Sequence, residues 1–267
     1  MRTPKPTRAA AMTLHALFSK PTLRTSAITV ALLLTACAAP PPQQAQQPAP
    51  DYVKLLESPD RTEADRGVDP RRKPERLLEF YGVREGMHVL DMGASAGYNT
   101  ELLSRAVGPD GIVYAQNSAW FLQNIVKGRL DERVKRRGNI IPIAREFDDP
   151  VPADLRNLDL VTFNFVYHDT VHLGVDRARM NRAIFDALKR GGTYIVADHA
   201  AQAGVGTTVT KSLHRIEESA VRKEIEAAGF RFVASADFLR NPADSREVIV
   251  FKNPVPNDEF VLKFVKP

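Results

Sequence analysis

Between Val89 and Asn117 the chain reads VLDMGASAGYNTELLSRAVGPDGIVYAQN, and this stretch restricts the fold more than any other. A short apolar run ends at Asp91, and a turn of small residues with Gly93 and Gly97 follows. An amphipathic segment carrying Leu102, Leu103, Ala106 and Val107 comes next, and Gly108-Pro109 stops it before a second apolar run. Strand, tight loop, helix and strand in that order build a ligand crevice at the carboxyl end of a parallel sheet. Glycine lets backbone approach a ligand closely, and a helix start offers N–H groups without intrahelical partners. The carboxylate of Asp91 argues against a phosphate cradle. It would repel a pyrophosphate, but it suits an ammonium or a sulfonium charge. The dinucleotide fingerprint Gly-x-Gly-x-x-Gly also fails, with Ser95 third and Tyr98 sixth.

The N-terminus reads as an address. Residues 1–26 hold Arg2, Lys5, Arg8, Lys20 and Arg24 and no acid, and an apolar run from Ala27 to Ala36 precedes Cys37. Ten residues are too few to span a bilayer and suit a signal-peptide core. Leu34-Thr35-Ala36-Cys37 resembles the bacterial lipoprotein signal, which implies cleavage before Cys37 and a lipid on that cysteine. Cys37 is the only cysteine, so disulfides and cysteine-based metal or nucleophile chemistry are excluded. The chain has 37 Lys+Arg against 32 Asp+Glu, and removing the signal takes away five bases and leaves a formally neutral chain. The basic charge therefore belongs to the signal and predicts no nucleic-acid partner. Residues 38–50, AAPPPQQAQQPAP, cannot bury a core and predict an extended spacer. The expected organisation is a signal peptide over 1–36, a lipidated cysteine and linker over 37–50, and one domain over 51–267.

Within that domain apolar strands and helices alternate. A short helix opens at Arg72-Lys73-Pro74-Glu75, and the strands predicted in order are Met87–Met92, Ile112–Ala115, Ile140–Ile143, Leu158–Val166 and Tyr194–Ala197. Phe230–Ala236 and Val248–Phe251 complete the set. Helices are predicted over Phe121–Arg137, around Met180, Ile184 and Leu188, and from Ser212 to Gly229. Continuous rather than alternating apolar strands separated by helices indicate an α/β sheet covered on both faces.

From Arg72 to Phe251 the chain resembles the class I S-adenosylmethionine-dependent methyltransferases, in particular a bacterial group of predicted members. Asp91-Met-Gly93-Ala94-Ser95-Ala-Gly97 is similar to the family's acid-x-Gly-x-Gly-x-Gly loop, with Ser95 in place of the middle glycine. The resemblance implies a Rossmann-like seven-stranded sheet, mostly parallel with an antiparallel last strand and helices on both faces. It implies S-adenosylmethionine as cofactor, with Gly93, Ala94, Ser95 and Gly97 passing under its methionine part. Asp91 would hold the amino group, directly or through water. The family commonly ends its second strand in an acid that grips the ribose. Here Asn117 stands there and offers a neutral contact, unless it or Ser118 caps the next helix. Asp148 or Asp149 stands where the family places an acid against the adenine.

Asn164 to Asp169 follows the fourth strand, where the family puts substrate-facing groups. His168 beside Asp169 is the expected catalytic pair, the histidine accepting a proton from the methyl acceptor. Asp198-His199 and His214 are expected to line or brace the same rim. His168-Asp-Thr-Val-His172 imitates a helical metalloprotease motif, but that chemistry needs a third ligand, and none is evident. No metal site is therefore predicted. The sequence thus predicts a methyltransferase acting on an unidentified small-molecule or other acceptor. It would be anchored to the cell envelope, facing the periplasm from the outer membrane. The alternative is a catalytically silent envelope ligand-binding protein of the same fold.

Overall fold

The computed structural model describes residues 48–267. The signal segment, Cys37 and the linker up to residue 47 lie outside the described residues. Helices α1 (Tyr52–Leu56), α2 (Glu63–Arg72) and α3 (Pro74–Tyr81) precede β1 (His88–Met92), α4 (Tyr98–Ala106) and β2 (Ile112–Asn117). Helix α5 (Ala119–Phe121) runs into a π-helical turn, Leu122–Val126, followed by α6 (Arg129–Arg137) and β3 (Ile140–Ala144). Then come β4 (Leu158–Asn164), α7 (Tyr167–His172), α8 (Arg177–Ala187), β5 (Leu188–His199), α9 (Thr210–Leu213), α10 (Glu218–Ala227), β6 (Arg231–Ala236) and β7 (Glu259–Val265). Among the described residues no helix is long and apolar enough to cross a membrane.

The seven strands lie in the order β3-β2-β1-β4-β5-β7-β6, with β7 antiparallel to both neighbours and the other contacts parallel. The Rossmann-like architecture expected from the sequence is the one observed. Side chains alternate across each strand, so one sheet produces two cores. Leu90, Met92, Val161, Phe163, Tyr194 and Val196 pack under α8 and α10 through Met180, Ile184, Val221 and Ile225. Val89, Leu160, Ile195 and Ala197 pack on the other face against Leu77, Leu78 and Tyr81 of α3 and Leu102, Leu103 and Ala106 of α4. Strand order runs outward in one direction from β1 to β3 and in the other from β4 onward, and this switch point between the parallel β1 and β4 opens a crevice at their carboxyl ends.

Several expected elements differ. The last strand is Glu259–Val265 rather than Val248–Phe251, whose end winds into a 3-10 turn with Phe251 exposed. Both runs are apolar, but only Glu259–Val265 registers with β5, from Thr193 opposite Val265 to His199 opposite Glu259. The helix expected over Phe121–Arg137 is interrupted at Lys127 and Gly128, both left-handed. The one expected from Ser212 breaks at His214, also left-handed. Helix α2 was not predicted, because its Gly67 and Pro70 and its sparse aliphatic residues, Ala64 and Val68, hide it. It starts where Thr62 accepts the Asp65 N–H and is helped by acids in its first turn and arginines in its last.

Arg215 explains why residues 248–252 stay out of the sheet. Its fully buried guanidinium donates to both Asp244 oxygens, 2.8 and 3.2 Å, and to the Ala200 and Val248 carbonyls. Asp244 in turn accepts the Asp258 and Arg246 N–H groups. The segment leading to β7 is thus tied to α9 and β5. Arg215→Met leaves the Asp244 carboxylate without its counter-charge and is expected to lower the unfolding free energy by about 3–5 kcal/mol. Urea denaturation measures this, and a loss below about 1 kcal/mol would contradict the pinning role.

Candidate functional site

The crevice between the ends of β1 and β4 is a cleft of about 450 Å³. Its floor is the loop after β1. Gly93 has φ +58°, and a Cβ there would lie 3.0 Å from the Phe163 ring. Gly97 has φ +84°, and its Cβ would meet Leu130 and Arg133 at 2.8 Å. Ser95 adopts φ +54° with a side chain present, a conformation that must be held by its surroundings. Asn117 holds it: its Oδ1 accepts the Ser95 N–H at 2.8 Å. The adjacent Gln116 accepts the Gly93 N–H through Oε1 and the Ala94 N–H through its carbonyl, and Gly97 N–H bonds to Ala94 O. Four amides of this loop are therefore turned back onto protein. A pyrophosphate cradle needs such amides free, so the loop is not one.

Asp91 sits beneath the loop, 2 % exposed. Its Oδ1 accepts from Asn99 Nδ2 and Thr162 Oγ1, each at 2.8 Å, and its Oδ2 from Thr100 Oγ1 at 2.6 Å. Burial pushes its pKa up, and the three donors partly offset that. A carboxylate only accepts, so Asn99 must present its amide nitrogen to Asp91 and its oxygen elsewhere. That oxygen receives the Tyr81 hydroxyl across a long 3.4 Å, and Tyr81 oxygen accepts Asn164 Nδ2 at 2.9 Å. The chain ends with Asn164 Oδ1, buried in the cleft wall and without a partner.

Opposite in character, Arg72 also lines the cleft with its Nη1 buried and unpartnered. Its guanidinium lies 3.5 Å over the Phe165 ring. Burial lowers its pKa to about 10, with Glu259 opposing and Arg71 assisting, so it is cationic at neutral pH. Phe165 itself is held at φ +61° in the cleft wall. Behind the loop, Arg133 donates to Ala96 O at 2.8 Å, to both Asp65 oxygens and to Glu101. Arg105 and Arg136 also reach Glu101.

The structure divides the expected site residues. Asp91, Gly93, Ala94 and Ser95 line the cleft, and Gly97 caps α4 beside it. Asn117 does not line the cleft. It is fully buried behind the loop and spends its amide on Ser95, which corrects the expected ribose contact. Ser118, not Asn117, caps the following helix. Asp148 pairs with Arg179 at 3.5 Å and Asp149 with Arg145, and neither reaches the cleft. Arg72 was missed as a site residue because the sequence places it only at the opening of the next helix, whereas it ends α2 and lines the cleft.

His168 and Asp169 are together, but in a second cluster past Phe165. His168 Nδ1 lies 2.7 Å from Asp198 Oδ1, and its Nε2 lies 3.1 Å from Asp169 Oδ1 and 3.2 Å from His214 Nδ1. Burial acts to lower the His168 pKa, and Asp198 with Asp169 outweighs it, raising it to about 10. This direction favours the protonated imidazole, whereas a proton acceptor must be neutral. His214 is held low by burial and by neighbouring histidine charge, against the pull of Asp169. The His168–His172 pair gains no third ligand, but a different set, His168, Asp169 and His214, converges closely enough to hold a metal ion.

Comparison with known proteins agrees with this geometry. A model of the fibrillarin family matches residues 76–245. The chain belongs to the fibrillarin family. It is 29 % identical over 122 residues to the protein-L-isoaspartate O-methyltransferase of Thermotoga maritima, covering 45 % of this chain and 34 % of that protein. It is 28 % identical over 143 residues to Arabidopsis thaliana fibrillarin 3, named as an rRNA 2′-O-methyltransferase, covering 53 % of this chain and 46 % of the other. The chain thus spans about a third to a half of these curated relatives. A solved S-adenosylmethionine-dependent methyltransferase from Aquifex aeolicus shares the fold, with TM-score 0.55, 21 % identity, 81 % of this chain and 99 % of that one. The fold and family are therefore those implied by the Asp91–Gly97 loop.

The arginine clamp behind the loop predicts acid lability. Burial acts to raise the pKa values of Asp65 and Glu101, and Arg133 and Arg105 outweigh it, holding both below their ordinary 3.8 and 4.5. Below those ordinary values the unfolded chain binds more protons than the folded one. Stability from these groups is thus complete above them and is lost as pH falls through the lowered values. Thermal melts between about pH 6 and pH 3 are expected to fall more steeply for the wild type than for Arg133→Met. Parallel curves would contradict the clamp.

Proposed function

We propose that the chain is an S-adenosylmethionine-dependent methyltransferase. The observation carrying this reading is the pair of unpartnered buried groups in the cleft, the donor Arg72 Nη1 and the acceptor Asn164 Oδ1. An unsatisfied buried polar atom costs about 1–3 kcal/mol, so two in one cleft point to a ligand that completes them. A carboxylate and an ammonium on one ligand, as in the methionine part of the cofactor, match them in kind. Arg72 would hold the carboxylate, Asn164 and Asp91 the ammonium, and the Gly93–Ser95 backbone would bound the ligand from below. When bound, the cofactor supplies an electrophilic methyl group on a sulfonium centre. The protein's part is positioning: Asn117 and Gln116 fix the loop, and Phe165 with Arg72 closes one wall against water. The two curated relatives are named for different acceptors, an isoaspartyl protein and a ribosomal RNA, so the acceptor does not transfer.

Calorimetry with S-adenosylmethionine and its demethylated product tests this. Both are expected to bind at sub-millimolar concentration, and Arg72→Met is expected to weaken them by roughly tenfold or more, the loss of a charge-assisted hydrogen bond. Failure of both ligands to bind at millimolar concentration would overturn the reading. The second reading, a silent envelope binding protein, would then stand, and Asn117 favours it: the residue at the end of β2 is committed to the loop and offers the ribose nothing.

We also propose, from the N-terminal sequence, that Cys37 carries a lipid anchor in the cell envelope, facing the periplasm. Palmitate labelling of expressed protein is expected to vanish in Cys37→Ser, and its survival would remove the anchor.

A further inference from the structure

Four of the six histidines in this chain, His168, His172, His199 and His214, lie at one rim, past the wall formed by Phe165. We propose that His168 Nε2, Asp169 Oδ1 and His214 Nδ1 are the ligands of a divalent first-row transition metal ion of the zinc class. The site is separate from the cleft and independent of the methyl-transfer reading.

Geometry carries the proposal. The three atoms form a nearly equilateral triangle with edges of 3.1, 3.2 and 3.3 Å. Zinc bonds of about 2.0–2.1 Å in a tetrahedral array place ligand atoms about 3.3 Å apart. The triangle therefore accepts such an ion with almost no movement. Three acceptor atoms this close repel unless a proton or a cation lies among them. The choice is between a proton on His168 Nε2, shared poorly between two acceptors, and a metal ion bonded to all three. Two imidazoles and one carboxylate form a borderline donor set suited to zinc-class ions rather than to calcium or magnesium.

The surroundings are those of a built site. Asp198 accepts from His168 Nδ1, which leaves Nε2 as the ligand atom, the arrangement by which outer carboxylates orient metal-bound histidines. Asp198 is fully buried and fixed by the backbone N–H groups of His168 and His199, each at 2.8 Å. Helix α7, which carries His168 and Asp169, is anchored by the Tyr167 hydroxyl between Glu224 and Asn181. His214 is brought in by the left-handed residue that ends α9, at φ +52°, strain that the ring's position explains. Asp169 and His214 are 21 % and 25 % exposed at the side chain, so the ion reaches the site from solvent and keeps an open coordination position. The sequence motif suggested His168 and His172 as the pair. The folded chain instead combines adjacent residues with a histidine 46 positions away.

The test is calorimetric titration of Zn²⁺ into the untagged, chelator-stripped full chain, with Co²⁺ as a spectroscopic substitute. One equivalent of Zn²⁺ is expected to bind and to raise the melting temperature, and Co²⁺ to give visible d–d bands of four- or five-coordinate metal. His214→Ala and Asp169→Asn, each shown to melt cooperatively without metal, are expected to weaken Zn²⁺ at least about tenfold and abolish the bands. Absence of stoichiometric binding by the wild type, or undiminished binding by both variants, would overturn the site. Neither readout depends on S-adenosylmethionine, so this result stands apart from that of the cleft.

Discussion

A carboxylate buried away from water must find donors, and around Asp91 this requirement organises much of the molecule. Its three partners come from α4 and β4, so its charge ties the first strand to the first crossover helix and to the strand across the switch point. The consequences extend further, because a carboxylate has no proton to give. Asn99 must turn its nitrogen inward, Tyr81 must donate to the oxygen left over, and Asn164 must donate to Tyr81. The buried acceptor left open in the cleft wall is therefore set by a charge several residues away.

The cleft is assembled from segments that are remote in the chain. Arg72 ends α2, Ser95 is held by the end of β2, and Ala96 is held by Arg133 from α6. Each of these contacts satisfies a backbone or side-chain group that would otherwise be stranded. The same bookkeeping leaves Arg72 Nη1 and Asn164 Oδ1 open, and these two residues also line the cleft. Past Phe165, the histidine cluster uses the ends of β4 and β5 and the break between α9 and α10. Two chemically different centres thus share one rim of the sheet, with the Phe165 and His199 rings 5.3 Å apart between them.

The central strands were legible because a sheet covered on both faces demands largely apolar runs, and β1, β2, β4 and β5 announce themselves that way. Pattern failed where two runs competed, as at Val248–Phe251 and Glu259–Val265, since hydrophobicity does not encode which run finds a partner strand. It failed again for α2, whose Gly67, Pro70 and sparse aliphatics conceal a helix stabilised by its cap and by contacts at its ends. Among site residues, Asp91, Gly93, Ala94 and Ser95 were readable from local spacing. Asn117, Asp148 and His168 were not, because their roles depend on which neighbour satisfies each polar atom.

By itself, the sequence determined the α/β alternation, the Asp91–Gly97 loop at a sheet crevice and its membership of a methyltransferase lineage. The first two follow from short-range periodicity and from residue types that tolerate a tight left-handed turn beside a strand, and the lineage from the resemblance of that loop to the family's. Only the tertiary structure decided that the loop's amides are closed to phosphate, that Arg72 and Asn164 face the cleft, and that His214 joins His168 and Asp169. Those outcomes depend on long-range packing and on the obligation of every buried donor and acceptor to find a partner, which no local pattern records.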